Sequence, residues 1–388
     1  MFKQITKSVW LLSFISLFND FSSEMLYPIL PIYFAQIGYG SLFIGFLEGI
    51  AECIGGLLKI YSGSLSDAFQ KRLPFIQTGY TLSILSRPLM GIFTNFGAIL
   101  SARILDKTGK GIRTGARDAL LADESNEKNR AEVFGFHRSM DTFGAVFGPL
   151  TALAFLYFYP QNYKGVFLLT LLPGVIALFF TILIKEKKRT TPIVKLRFKD
   201  HFSYYKKAPQ HYKKFITLFL IFALVNSSDM FLLLYAKEQG IDEKNIIFLY
   251  LIFNLSFALF AFPIGKWADK FGKQKMLLLS LFIFGITYFI FPFATTFLHL
   301  IFLFIFYGLF YAFNQGVFKA KISNLVSANE KSSAIGLFDG LNSFALLFSN
   351  FIGGIIWYNF GSIMFFVYTG IVTFLVLILL LFSTSKNK

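Results

Sequence analysis

"GKWADKFGKQK", residues 265–275, closes one apolar run, and "GSLSDAFQKR", residues 63–72, holds the same place 202 residues earlier, laying Gly63 over Gly265 and Asp67 over Asp269. Two more pairs share nearly that offset. "SSEM" (22–25) lies over "SSDM" (227–230) at 205 residues, which sets Glu24 on Asp229. "GKGIRTGARDALLADE" (109–124) lies over "NQGVFKAKISNLVSAN" (314–329) at the same spacing, with Gly111 over Gly316. Three matches at nearly one period describe a chain of two related halves, the weak symmetry left by parallel repeats about an axis along a membrane normal.

The rest of the chain places those halves in a bilayer. Its 388 residues are 55% apolar and 19% aromatic but only 15% charged, which lies outside the usage of soluble domains. Apolar runs long enough to cross a membrane fall at 9–36, 42–62, 74–94, 97–121, 131–157, 166–184, 215–238, 246–265, 276–293, 297–320, 334–357 and 363–382. The expected fold is an all-α membrane protein with twelve transmembrane helices in two pseudo-symmetric six-helix bundles, 1–184 and 215–388, joined by a basic cytoplasmic linker, 185–214. The first run follows Lys3 and Lys7 as a signal peptide would, but its length and Pro28 and Pro31 favour a retained first helix.

The formal net charge of +16 invites a nucleic-acid reading, but its location favours topology. Lys71 and Arg72, Lys128 and Arg130, the 185–214 stretch, Lys270, Lys273 and Lys275, Lys331, Lys386 and Lys388 share one face, and the opposite loops hold little beyond Lys164 and Lys244. Both termini and the basic loops are therefore expected in the cytoplasm, on an inner (cytoplasmic) membrane. Cys53 is the only cysteine, and His137, His201, His211 and His299 lack metal-ligand spacing, so neither disulfide nor zinc chemistry is expected.

With these motifs in hand, the chain resembles the major facilitator superfamily (MFS) of secondary transporters over essentially its whole length. The family's signature after helix two, Gly-x-x-x-Asp-Arg/Lys-x-Gly-Arg-Arg/Lys, is matched by Gly63, Asp67, Lys71 and Arg72, and again after helix eight by Gly265, Asp269, Lys270, Gly272 and Lys273. The first copy departs from it with Ala68 and Gln70. The resemblance implies that these residues gate rather than touch substrate. In helix five, Gly144, Gly148 and Pro149 resemble the family's Gly-x-x-x-Gly-Pro motif, associated with antiporters. Plain close packing of helices is the alternative. The helix-four motif is matched loosely, with Arg103 six residues before Gly109-x-Gly111.

Ionisable groups at membrane depth cost a few kcal/mol unless paired or hydrated, so each is a candidate. Asp20 and Glu24, then Glu48 and Glu52, stand at i, i+4 on helices one and two. Glu24 is the leading proton-coupling candidate because its repeat partner Asp229 keeps the acid. Asp20, Asp229, Glu48 and Glu52 follow, and a static pairing with helix-four bases is the competing reading. Arg103 and Asp106, at i, i+3, are expected to pair within their helix. The family's cavity is lined by helices one, four, seven and ten. The resemblance thus places Asp20, Glu24, Arg113 and Asp229 near it; Arg87 and Asp141, charges at membrane depth on helices three and five, and Asn226, Asn314 and Gln315, able to hydrogen-bond a solute, join Arg113 as substrate-cavity candidates.

The expected function is proton-coupled efflux of a small organic solute by alternating access. Proton-coupled import of a nutrient or anionic metabolite is the alternative, and a membrane receptor or enzyme is the reading from another class. No nucleophile–base constellation or added soluble domain supports an enzyme. The expected partners are the lipid bilayer, the solute and protons, with no nucleic acid. No cofactor is expected beyond the proton gradient, and the functional unit is expected to be a monomer.

Overall fold

The computed structural model describes residues 6–125, 130–186, 204–327 and 330–385. Their regular structure is helical, with no strand among them. In chain order the helices are α1 (Lys7–Glu24), α2 (Leu30–Gln36), α3 (Ser41–Ala68), α4 (Leu73–Ile92), α5 (Phe96–Asp123), α6 (Arg130–Phe158), α7 (Tyr163–Leu169) and α8 (Leu171–Ile182). After one helical turn at 204–207 come α9 (Gln210–Ala223), α10 (Met230–Glu238), α11 (Glu243–Phe271), α12 (Lys273–Ile290), α13 (Phe297–Asn324) and α14 (Lys331–Ser385).

Seven segments among the described residues are long and apolar enough to cross a bilayer: Ser41–Ser62, Phe136–Phe158, Tyr163–Ile182, Glu243–Ala261, Lys273–Phe293, Phe297–Asn324 and Ser333–Phe382. The outer surface suits lipid, with Phe293 77%, Phe158 73% and Ile182 73% exposed, an arrangement that water would penalise. A straight α14 would be about 80 Å long at about 1.5 Å per residue, far more than the ~30 Å hydrocarbon core. It does not run straight. Gly361 adopts φ 83° and ψ 169°, and beyond it the Phe365 ring returns to 5.2 Å from Trp357.

The expected helix over 9–36, bent at Pro28 and Pro31, is interrupted outright. α1 ends at Glu24, residues 25–29 form a turn, and α2 resumes at Leu30. Pro28 supplies the reason: it has no N–H for the Glu24 carbonyl, and its ring crowds that same i−4 oxygen. The expected helix over 215–238 also breaks, between Ala223 and Met230, where Asn226, Ser227, Ser228 and Asp229 offer side-chain alternatives to helical bonds. Asn350 Oδ1 accepts from the Ser228 N–H at 2.8 Å and holds the unwound chain. The repeated SSEM and SSDM motifs therefore both sit at a helix break.

The chain folds as two compact units, one of Met1–Tyr33 with Ile50–Phe198 and one of Phe34–Gly49 with Lys199–Lys388. In the first, α1 packs along α6 and α4 along α5, around Leu12, Ile15, Ile76, Tyr80, Ile84 and Leu121. Gly144 and Gly148 make the α1–α6 approach possible: a Cβ at Gly144 would lie 2.4 Å from the Leu17 carbonyl oxygen, and one at Gly148 2.7 Å from that of Phe21. Pro149 follows inside the same helix. In the second unit, α11 and α12 pack on α13, and the first turns of α3 join it, with a Cβ at Gly45 falling 2.2 Å from the Asn350 carbonyl oxygen.

The repeated loops share a backbone feature that separates their sequences. Gly272, between α11 and α12, has φ 98°, and Gln70, its counterpart between α3 and α4, has φ 51°. Glycine enters this left-handed region freely, whereas a side chain costs about 1–2 kcal/mol there. Gln70→Gly is therefore expected to raise stability by about 1 kcal/mol, read as a higher thermal unfolding midpoint in detergent. A lower midpoint would contradict a strained turn.

Candidate functional site

The first unit carries a chain of buried charges. Arg87 on α4 is 1% exposed, and its guanidinium donates to Asp106 Oδ1 at 3.3 Å, Ser22 Oγ at 2.6 Å and Asn19 Oδ1 at 3.0 Å. Arg103 Nη1 donates to the other oxygen of Asp106 at 3.2 Å. One carboxylate thus serves two buried guanidinium groups and ties α4 to α5 and, through Arg87, to α1. The sequence placed Arg87 against a cavity, whereas the structure buries it as a tether. Arg113 is similar: at 3% exposure it donates to Ser83 Oγ at 2.7 Å and lies 4.7 Å over the Tyr80 ring.

α5 reaches these partners because it has glycines where it meets its neighbours. A Cβ at Gly109 would fall 2.4 Å from the Gly79 carbonyl oxygen on α4, and one at Gly111 2.5 Å from that of Gly55 on α3. Backbone contact on both sides fixes the direction of the bases between and beyond them. Lys107 makes an ion pair with Glu52, and Arg117 Nη1 donates to Ser16 Oγ at 3.0 Å while pairing with Asp118 at 2.9 Å.

Lys110 is exposed and lies within electrostatic reach of Glu52, Asp20 and Glu24. Asp20 in turn lies within reach of Asp141, Arg113 and Arg117 and accepts from Asn19 Nδ2 at 3.1 Å. Acids from α1, α3 and α6 therefore face one row of bases on α5. Asp141, 6% exposed, stands 3.7 Å from both His137 Nε2 and Arg138 Nη1, and the His137 ring reaches Ser13 at 3.4 Å. Such a cluster can pass charge between alternative partners, since moving one proton or one ion changes several pairings at once. Glu48, by contrast, is fully buried in the part of α3 that packs with the second unit.

The second unit holds its own carboxylate. Asp229 precedes α10 at the break, and its Oδ1 accepts from Tyr307 at 2.5 Å and Tyr311 at 3.0 Å, both on α13. Asn226 Oδ1 and Asn314 Oδ1 are buried with no hydrogen-bond partner. The side chain of Gln315 lies outside the described residues.

The two loops expected to gate are described in part. Arg72 Nε pairs with Asp123 at 2.8 Å, and Glu186 accepts from the Arg72 and Leu73 N–H groups at 2.7 and 3.0 Å, capping α4. Lys71 and Lys270 are exposed, and the Lys270 ammonium stands 5.4 Å from the Phe271 ring centroid. Lys273 begins α12 directly after Gly272, and Gly265 lies within α11. The side chains of Asp67 and Asp269, and the surroundings of Gly63, lie outside the described residues, as do 187–203 of the basic stretch.

Sequence reasoning missed three parts of this arrangement. It gave no role to Tyr307 and Tyr311, because tyrosines among 53 phenylalanines and 18 tyrosines look like membrane bulk. Their i, i+4 spacing over a repeated acid was the available signal. It gave no role to Lys107 and Lys110 beside the loosely matched helix-four motif, and it did not see Asn350 bracing the break in the seventh apolar run.

Comparison with known proteins identifies the architecture. Residues 12–255 and 215–388 match the sequence profile of the Major Facilitator Superfamily. The chain is 34% identical over 387 residues to an uncharacterized MFS-type transporter of Methanocaldococcus jannaschii, covering 98% of this chain and 96% of that protein. It is 25% identical over 355 residues to the multidrug resistance protein MdtH of Proteus mirabilis, covering 88% of this chain and 82% of that one. A POT family transporter in complex with 5-aminolevulinic acid shares the fold, with a TM-score of 0.82 at 13% identity over 98% of this chain and 96% of that chain. These matches make the chain a multi-pass membrane transporter rather than an enzyme. The chain belongs to the Major Facilitator Superfamily.

Proposed function

We propose that this protein exports a small organic solute across the cytoplasmic (inner) membrane in exchange for protons. The observation that carries the reading is the cluster of Asp20, Glu24 and Glu52 against Lys107 and Lys110, a set of chargeable groups at membrane depth that a purely structural helix bundle would avoid. Glu24, at the Pro28 break, is the proposed proton carrier and Asp20 its second. The likeness to a multidrug resistance protein favours the outward direction.

Twelve crossings are part of this reading. The seven apolar segments are joined by α1–α2, α4, α5 and α9–α10, and α14 crosses twice about Gly361. The breaks and buried charges explain why the added segments look less apolar. Bundles 1–184 and 215–388, a basic cytoplasmic linker at 185–214, cytoplasmic termini and a functional monomer complete the proposal. The energy source is the proton gradient, with no cofactor.

The row of bases on α5 favours a second reading, proton-coupled import of an anionic metabolite. Mass spectrometry of small molecules in cytosol and spent medium, for cells with and without the protein, separates the two. A compound retained inside cells that lack the protein supports export, and one left unconsumed outside supports import and overturns the leading choice. Gating is tested separately: Asp67→Asn is expected to slow turnover several-fold with normal membrane insertion, and an unchanged rate would remove the 63–72 loop from the cycle.

A further inference from the structure

We propose that the corner at residues 204–214 binds the headgroup of an anionic phospholipid through Lys206, Lys207 and Lys214, with the lipid's acyl chains lying along α9. Such a site stands outside the transport cycle. It rests on the proposed topology only for which leaflet supplies the lipid.

The corner is firmly built. One helical turn at 204–207 meets α9 at Pro209, and the Ala208 N–H donates to the Tyr204 carbonyl at 2.9 Å. Tyr204 is buried, with its ring 5.9 Å from that of Tyr212. Tyr212 donates in turn to the Ala334 carbonyl at 2.7 Å, and a His211 ring nitrogen lies 2.7 Å from the Leu325 carbonyl oxygen. These bonds pin the corner to the end of α13 and the start of α14. Lys213 closes it from within: its ammonium donates to the Lys206 carbonyl at 3.2 Å and stands 5.4 Å from the Tyr205 ring centroid. Lys206, Lys207 and Lys214 are left exposed.

Their charge is not balanced locally. Residues 201–228 hold these four lysines and no acid, and among the described residues none of the four forms an ion pair. Glu330 lies within electrostatic reach of Tyr204, but its Oε2 accepts from the Ser327 hydroxyl at 2.6 Å. Uncompensated positive charge beside a membrane-crossing helix attracts anionic lipid.

The face of α9 below the lysines selects a lipid over a soluble anion. Gln210, Lys214, Thr217, Ile221 and Leu224 are exposed, and their alternating steps of four and three residues set them in one row along the helix. The Thr217 hydroxyl donates back to the Lys213 carbonyl at 2.9 Å, which hides its polarity. Ile221 and Leu224 are each 37% exposed. The row is therefore charged at Lys214 and apolar about 10 Å further on, at about 1.5 Å per residue. A phospholipid fits that order from end to end. Tyr205, 42% exposed beside the lysines, is the residue type that settles at the membrane–water boundary. Free phosphate would meet the lysines and leave the apolar length uncovered.

The test is native mass spectrometry of the purified full-length chain, carried in detergent with equal amounts of phosphatidylglycerol and phosphatidylcholine that share the same acyl chains. Wild type is expected to retain phosphatidylglycerol in preference by about tenfold or more. One lysine at a membrane surface is worth about a fivefold change. Lys206→Gln, Lys207→Gln and Lys214→Gln together are thus expected to lower the preference at least about tenfold, and arginine at the same three positions to keep it. Lys214→Gln alone is expected to lower it about fivefold and keeps the test alive should the triple variant fold poorly. Three other exposed lysines serve as the charge-matched control, and Lys164→Gln, Lys275→Gln and Lys319→Gln together are expected to leave the preference unchanged.

Equal retention of the two lipids by wild type, a preference unchanged in both the triple and the single variant, or an equal loss in the control would overturn the site. Neither solute nor gradient enters this measurement. A chain that holds the lipid and moves nothing would sink the transport reading alone, and a chain that transports without lipid preference would sink the site alone.

Discussion

Asp106→Ala is expected to abolish the folded protein rather than merely slow it. Asp106 is 7% exposed and its two oxygens bond Arg87 at 3.3 Å and Arg103 at 3.2 Å, while those arginines are 1% and 4% exposed. Removing the carboxylate takes from buried Arg87 its ion-pair partner and from buried Arg103 one of its partners. Breaking one such buried pair costs about 3–5 kcal/mol, against a total stability of about 5–15 kcal/mol. Arg87 would keep Ser22 and Asn19, neutral acceptors that do not balance its charge. The expected result is loss of the monodisperse peak on size-exclusion chromatography in detergent. Coupling gives a second readout: Arg87→Met should cost much less in the Asp106→Ala background than alone, because the pair is already broken. A well-folded Asp106→Ala protein would show that the charges balance elsewhere.

Glu24→Gln is expected to remove function without removing the fold. Glu24 closes α1 where Pro28 interrupts the helix, so the substitution keeps shape and hydrogen-bonding capacity and removes only the ability to gain and lose a proton. If Glu24 carries the coupling proton, uphill movement stops, while exchange of solute down its own gradient continues, because that exchange needs no net protonation change. A structural role predicts the reverse, with both activities falling together as the protein loses stability.

Much of the architecture was legible in the sequence because its causes are local or periodic. The bilayer length rule located the apolar runs, and the match of SSEM to SSDM pointed to two places where the structure breaks a helix. The Arg103–Asp106 pair was legible because i, i+3 spacing puts both on one helix face. Helix breaks were less legible. The bend at Pro28 and Pro31 was visible, but the break at 224–229 contains no proline and depends on Asn350, more than a hundred residues away in the chain. Tertiary partners decide such places, and one sequence does not show them.

The candidate site divides in the same way. Residue type alone marked Asp20, Glu24, Glu52 and Asp229, because a charge at membrane depth is rare enough to stand out. It did not separate charges that hold helices from charges that face open space. Arg87 and Lys110 look alike in the sequence, yet one is sealed among α1, α4 and α5 and the other is exposed near three acids. That difference is set by the Gly79–Gly109 and Gly55–Gly111 contacts, which fix the rotation of α5. Glycine spacing suggested close packing without naming the partner.

The most direct test of proton-coupled transport uses proteoliposomes loaded with the solute identified by the cell comparison, under an imposed pH gradient. Wild-type protein should move that solute against its concentration gradient, stop when a protonophore collapses the pH difference, and lose uphill transport but keep solute exchange on Glu24→Gln. Uphill movement that survives both the protonophore and Glu24→Gln would contradict proton coupling through Glu24.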